Sequence, residues 1–202
     1  MSWVYHVSNR AGSMTQSEMQ QNVDEIYNQL CGVYNWSIEA VSAVLGNMQH
    51  ESFINPAQTQ IGYPIGTESG GYGLVQWTPA SKYKNWCRLN NYNITDGFWQ
   101  VYALNFQPWG TEYIPTSAFP ETYEEFKISE ESVAYLTECF LKNYERAGVS
   151  ALSQRIANAE AWYTYLTGSP PPTPPTPPSP TPSGYKSEFK PLLYLRNRNL
   201  RF

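Results

Sequence analysis

The sequence is poor in the residues that hold metals or form covalent staples. It has two histidines, His6 and His50, and three cysteines, Cys31, Cys87 and Cys139, in 202 residues. A metal centre built on imidazoles therefore has almost nothing to draw on, and no cofactor is expected. His50-Glu51 begins like a zinc-protease motif, but Ile54 stands where the second histidine belongs. The cysteines are too few and too far apart for a disulfide framework. Each lies beside apolar residues in a helical pattern, so they read as buried free thiols. No cysteine–histidine spacing supports a thiol hydrolase. There is no GxxxxGK[ST] run to cradle phosphate, and Gly70-Gly71-Tyr72-Gly73 reads as a hairpin turn. No apolar run approaches the ~20 residues of a membrane span. The N-terminus lacks the pattern of a secretory leader, so export by some other route is expected if the chain acts outside a cell.

Charge is also sparse, at 15% of residues, and unevenly placed. The formal total is −4, yet residues 184–202 carry +4 from Lys186, Lys190, Arg196, Arg198 and Arg201 against Glu188, leaving −8 on the rest. An acidic body of this kind lacks the basic footprint that nucleic-acid binding requires. Proline is abundant but confined: nine of 16 fall within residues 169–183. That stretch cannot be core, because proline lacks a donor and favours extended polyproline II. The chain thus divides into a body (1–168), a Pro-rich linker (169–183) and a short basic-apolar tail (184–202). The body is long enough to bury a core as one domain. Its aromatic content, 15% of the chain, suits both a core and a groove that stacks on sugars or peptides.

The body reads as mainly α, a helical domain with a small turn-rich β-hairpin insertion. Thr15 and Glu18 form a capping-box pattern ahead of Met19, Val23, Ile26, Tyr27 and Leu30 at helical spacing. A second helix starts at Ser37, shows the stripe Val41, Val44, Leu45 and Met48, and stops before Pro56. Residues 57–77 hold six glycine or proline breakers and read as the hairpin region. Thr78-Pro79 looks like an N-cap followed by proline at the first helical position. Further helices are expected at Phe98–Phe106, from Ser129 through Val133, Leu136, Phe140 and Tyr144 to Gly148, and at Ser150–Leu166.

Glu51 is the sharpest signal. It lies three residues after Met48 and seven after Val44, so helical geometry puts it on the apolar face. Burial beside Val44, Met48 and Phe53 disfavours a charged carboxyl, and so does the negative end of the helix dipole. A carboxyl general acid needs that bias. The plain alternative is a glutamate that pairs with a buried arginine or caps a loop. Downstream, Tyr72-Gly73-Leu74-Val75-Gln76-Trp77-Thr78-Pro79 joins a glycine-rich approach to a helix start and is suited to form a cleft wall. Gln76 offers a donor and an acceptor. Tyr72 and Trp77 offer rings for stacking, Trp77 being equally suited to the core.

Glu51-Ser52 followed by Gly73-Leu74-Val75-Gln76 resembles the motif pairing of goose-type lysozymes and lytic transglycosylases. The wider set, Leu45-Gly46-Asn47-Met48-Gln49, Ile54-Asn55-Pro56, Trp77-Thr78-Pro79-Ala80-Ser81, Phe140-Leu141 and Tyr144-Glu145-Arg146, resembles the phage tail lysozyme family. Val7-Ser8-Asn9, Ser17-Glu18-Met19 and Trp162-Tyr163 fit as well, so the likeness spans roughly residues 5–168. The resemblance implies an α+β lysozyme-like fold acting on the glycan strands of peptidoglycan, with Glu51 as the catalytic acid. It implies a place in the phage tail, with synthesis in the host cytoplasm and action on the host wall. Lysozyme is itself the standard worked case of an acidic glutamate of this kind. Glu68, inside the turn-rich insertion, is the candidate second carboxylate, against a plain solvated loop residue. Glu145 reads as structural. Tyr144 joins Tyr72 and Gln76 as a substrate contact, since a tyrosine in this part of the transglycosylase pattern assists the chemistry.

Three other functions fit the same residues: a lytic transglycosylase using Glu51 as acid and base, an endolysin for host lysis, and a non-catalytic wall-binding tail protein. The tail reads as a docking peptide for phage tail proteins, as a basic segment drawn to anionic wall polymer or membrane, or as an end without a partner. Tail lysozymes can carry a peptidase-like domain after the linker, and the 19 residues here are too few for one.

Overall fold

Among the described residues, seven α-helices and one π-helical turn form, most of them where apolar spacing and a capping side chain coincide. The computed structural model describes residues 3–146 and 151–172. Helix α1 (Gln16–Leu30) opens with the expected capping box: Thr15 accepts from the Glu18 amide, and the Glu18 carboxylate accepts from the Thr15 amide. Helix α2 (Ile38–Ser52) is capped by Ser37 and ends on Phe53 in the left-handed conformation. Its residues 40–48 are buried without a break, so it is the central helix and not an amphipathic outer one. Helices α3 (Ser81–Asn90) and α4 (Gly97–Phe106) follow, then α5 (Tyr123–Lys127), α6 (Val133–Phe140) and α7 (Leu152–Thr167), which closes at Gly168.

Helix α2 packs mainly on α7 and α6, which also pack on each other. The tightest approach is at Gly46, where an added Cβ would collide with the Cβ and amide of Ala159 and the carbonyl of Arg155. A glycine facing an alanine brings the two backbones together, and this closeness sets which α7 side chains reach α2.

Residues 57–77 are the small turn-rich insertion expected, held by isolated antiparallel bridges of Thr59 with Tyr72 and Tyr72 with Trp77. Three expectations need correction. Thr78-Pro79 does not start a helix: the peptide bond is cis, α3 begins at Ser81, and the Thr78 hydroxyl donates to the Gln76 carbonyl. Helix α5 is an addition to the expected set, although Thr122 and Glu125 form a second capping box. The long helix expected from Ser129 starts at Val133 on the Ser132 cap and ends at Phe140. There the chain widens into a π-helical turn, Leu141–Glu145, closed by the Arg146 amide on the Leu141 carbonyl. Such a turn shifts the helical register of the residues it carries. Gly148, Ser150, most of the linker and the whole tail lie outside the described residues.

All three cysteines are free thiols; Cys87 and Cys139 are buried as expected, whereas Cys31 is only partly buried. Much of the aromatic excess is spent internally. Trp77 stacks on Tyr83 at 5.0 Å, Tyr92 on Trp99 at 3.5 Å and Trp86 on Tyr102 at 6.0 Å. Among the described residues no helix is long and apolar enough to cross a membrane.

Candidate functional site

Asn47 and Glu51 are four residues apart and so lie on one face of α2. That face meets Arg155 of α7, a fully buried residue that reaches both because the helices touch at Gly46 and Ala159. One guanidinium nitrogen donates to the Asn47 side-chain oxygen at 3.0 Å, and the other forms a close ion pair with Glu51. Asn47 in turn donates to the Thr137 carbonyl of α6 at 3.2 Å and to the Ala43 carbonyl at 2.9 Å, so it ties three helices at this point. Glu51 keeps 20% of its side chain exposed. The sequence points to an apolar bed for Glu51 and, as the alternative, a buried arginine; the arginine is there.

Arg155 is absent from the residues singled out by sequence, yet a signal for it exists. It stands four residues before Ala159 and seven before Trp162, on the buried face of α7. Two charges of opposite sign on the apolar faces of two helices each need a partner.

Ser52 joins the second motif to this helix end. Its hydroxyl donates to the Leu74 carbonyl at 2.8 Å as well as to the Met48 carbonyl at 3.0 Å. Gln100 of α4 receives the Leu74 amide at 2.7 Å and donates to the Pro56 carbonyl at 2.6 Å. Its amide sits where a Cβ on Gly73 would be, and Gly73 has a left-handed φ of +82°, so glycine is required on both counts. The loop 73–77 is thereby fixed against the end of α2.

A cleft of about 260 Å³ opens beside this loop, lined by Gln76, Trp77, Lys82, Glu112, Tyr144 and Glu145 among others. Gln76 donates to the carbonyls of Gln58 and Gly73, at 3.1 and 2.9 Å. Tyr144 accepts from the Trp77 indole at 2.9 Å, and its buried phenol is pushed well above the usual range. Glu112, also lining the cleft, accepts from Lys82 at 2.9 Å and from the Trp109 indole at 2.8 Å and pairs with Arg146 at 3.6 Å.

Glu145 ends the π-helical turn and is partly buried. Its Oε1 is shielded from solvent and has no hydrogen-bond partner among the described residues. Burial first, and then the negative charge of Glu51, hold its carboxyl well above the ordinary carboxylate range, while Arg155 and Arg146 oppose that shift. The carboxyl that shares the surroundings of Glu51 is therefore Glu145, which reads from sequence as a structural residue.

Two of the expected site residues are held elsewhere. Glu68 is about half exposed and forms a two-point pair with Arg88, at 2.6 and 3.3 Å. Arg88 holds its carboxyl below the usual range. This matches the plain alternative, a solvated loop residue, more closely than a cleft carboxylate. Tyr72 is buried, with Tyr83 stacked near it at 6.2 Å and the Lys84 ammonium 4.7 Å from its ring centre, so it offers no open face for a sugar. Gln76 and Tyr144 do line the cleft. Among the described residues no cluster of histidine, cysteine, aspartate and glutamate could hold a metal ion.

A mainly helical domain with a glutamate at the end of its central helix, tied to a Gly-Leu-Val-Gln loop beside a cleft, has a lysozyme-like architecture. The model of the phage tail lysozyme family matches residues 21–166, and the chain belongs to that family. It is also similar to morphogenesis protein 1 of Bacillus phage B103, at 35% identity over 162 residues. That match covers 77% of this chain but 42% of the relative, so the chain spans about two-fifths of that protein's length.

Proposed function

We propose that the chain is a virion-associated peptidoglycan hydrolase, carried in the phage tail, that cleaves the glycan strand of the host wall at the start of infection. Glu51 is its general acid. The observation that carries this reading is the placement of Glu51: a partly exposed carboxyl at the end of a helix buried through residues 40–48, fixed by Arg155 and electrostatically linked to a carboxyl that lines the cleft. Family membership supports the substrate class, and the phage relative supports the setting.

In the reaction, Glu51 gives a proton to the glycosidic oxygen as the bond to the anomeric carbon breaks and an oxocarbenium-like state develops. Gln76 and Tyr144 contact the sugar from the cleft wall. Zymography on bacterial wall tests the assignment: the wild type should clear, and Glu51→Gln should clear at least ~100-fold less, the usual cost of losing a general acid. Equal clearing would remove Glu51 from the chemistry. Mass spectrometry of the digest separates two reactions, because a product lighter by one water would replace hydrolysis with transglycosylation. Presence of the chain in purified virions separates a tail enzyme from an endolysin. Wall binding without clearing would leave the non-catalytic reading. Residues 184–202 supply a docking peptide for tail proteins in the same proposal, tested by deleting them and assaying incorporation into particles.

A further inference from the structure

We propose that Glu145 is the second carboxyl of the hydrolytic site, taking the proton of the attacking water while Glu51 protonates the leaving oxygen. This rests on Glu51 being the general acid. Three observations lead to it. Glu145 lines the cleft together with Gln76 and Tyr144. Its Oε1 is shielded from solvent yet makes no hydrogen bond among the described residues, which is costly for a carboxyl that has no use. It also shares the buried guanidinium of Arg155 with Glu51 as an electrostatic partner. The π-helical turn that ends at Glu145 is the irregularity that brings it there.

The charges acting on Glu145 are Glu51 of α2, Arg155 of α7 and its own neighbour Arg146, which pairs with Glu112 at 3.6 Å; Lys82 and Glu112 also line the cleft. His50, beside Glu51, is held below its usual range by burial first and then by Arg155, with Glu51 opposing the shift. In the free chain Glu51 holds the ion pair with Arg155, and burial together with the charge of Glu51 favours the neutral form of Glu145. For turnover the proton moves from Glu145 to Glu51. The negative charge then sits on Glu145, where Arg155 and Arg146 both favour it, so the buried guanidinium keeps an anionic partner in either state. Next, Glu51 donates its proton to the leaving oxygen, which keeps the electron pair of the broken bond. The water oxygen bonds to the anomeric carbon, and one water proton goes to Glu145. Glu51 is again the carboxylate paired with Arg155, and Glu145 is again neutral.

Two measurements on the full chain test this. In the first, carbon-detected NMR follows the Glu145 carboxyl through a pH titration in the wild type and in Glu51→Gln. The wild-type midpoint should lie above the ordinary glutamate value of ~4.3 and should fall when the charge of Glu51 is removed. A midpoint in the ordinary range, or one unmoved by Glu51→Gln, overturns the proposal. In the second, Glu145→Gln should still pellet with insoluble wall but hydrolyse it at least ~100-fold more slowly, with the alkaline or acid limb of the pH profile altered. Hydrolysis within roughly threefold of wild type, far short of the usual cost of losing a general base, overturns it too. Loss of clearing in Glu51→Gln but not in Glu145→Gln removes Glu145 and leaves Glu51 as the acid. Undiminished clearing by Glu51→Gln removes the acid itself.

Discussion

Among the glutamate–arginine pairs of the described residues, Glu68–Arg88 and Glu51–Arg155 behave differently because their surroundings differ. Glu68 and Arg88 meet at the surface, with about half of each side chain exposed. Water screens their attraction and readily replaces it. Glu51 meets an Arg155 that is almost fully buried. There the desolvation of the guanidinium is recovered only while its partners stay in place. The same two functional groups therefore serve as a loop fastening in one place and as a buried electrostatic centre in the other. What decides the role of a glutamate here is its depth, and depth depends on whether its helix is central or its loop is exposed.

Removing the buried cation should break this comparison most strongly. Arg155→Met leaves Glu51 and Asn47 without their donor, and a loss of about 3–5 kcal/mol is expected, the range for opening a buried pair. Chemical denaturation measures it, and a variant as stable as wild type would place Arg155 among ordinary surface cations. Gly46→Val attacks the same centre through the backbone, by pushing α7 away from α2. Overpacking of this kind costs about 1–3 kcal/mol. It should also weaken clearing without touching a charged group, and unchanged stability would mean the helices separate freely.

Glu145 sharpens the comparison through pH. Its folded-state pKa is raised, so between the unfolded value of ~4.3 and the higher folded value the native chain holds one proton more than the unfolded chain. Stability from this group is full below that lower value and is lost as pH rises toward the folded pKa. Glu145→Gln removes the loss, so its stability relative to wild type should grow with pH, as read from melting temperatures between acid and neutral buffer. A constant difference would refute the raised value. Glu68 has the opposite sign: Arg88 lowers its pKa, and its small contribution is present at neutral pH and fades as pH falls through the folded value. The smallest effect is expected for Arg88→Ala, which should leave both the melting temperature and wall clearing within experimental error.

The helical body is legible in the sequence because its signals are local. The capping box at Thr15, the Ser37 cap, the periodic stripes and the stop at Gly168 all sit within a turn or two of the residues they control. Glu51 is legible for the same reason, since its neighbours at three and seven residues reveal the face it occupies. The site around it is not, because its partners come from far along the chain. Arg155 reaches Glu51 only through a helix contact set by Gly46 and Ala159. Glu145 depends on a π-helical turn that the periodic stripe does not announce: Val133, Leu136, Phe140 and Tyr144 fit an unbroken helix equally well. Tyr72 departs from expectation for a related reason. Motif residues next to a cleft can build its wall from within, and the ring expected to stack on a sugar stacks near Tyr83 instead.

The hydrogen bond from the Trp77 indole to the Tyr144 hydroxyl makes the cleft optically addressable. Trp77 and Tyr144 both line the cleft, and Trp109 stands edge-on to Trp77 at 5.5 Å. On the proposed function, a glycan chain seated on this wall would displace water and change the polarity around an indole already fixed in orientation. Emission from Trp77, isolated by replacing other tryptophans with phenylalanine, therefore supplies a label-free signal for occupancy, separate from any measure of bond cleavage. It gives inactive variants a binding constant of their own.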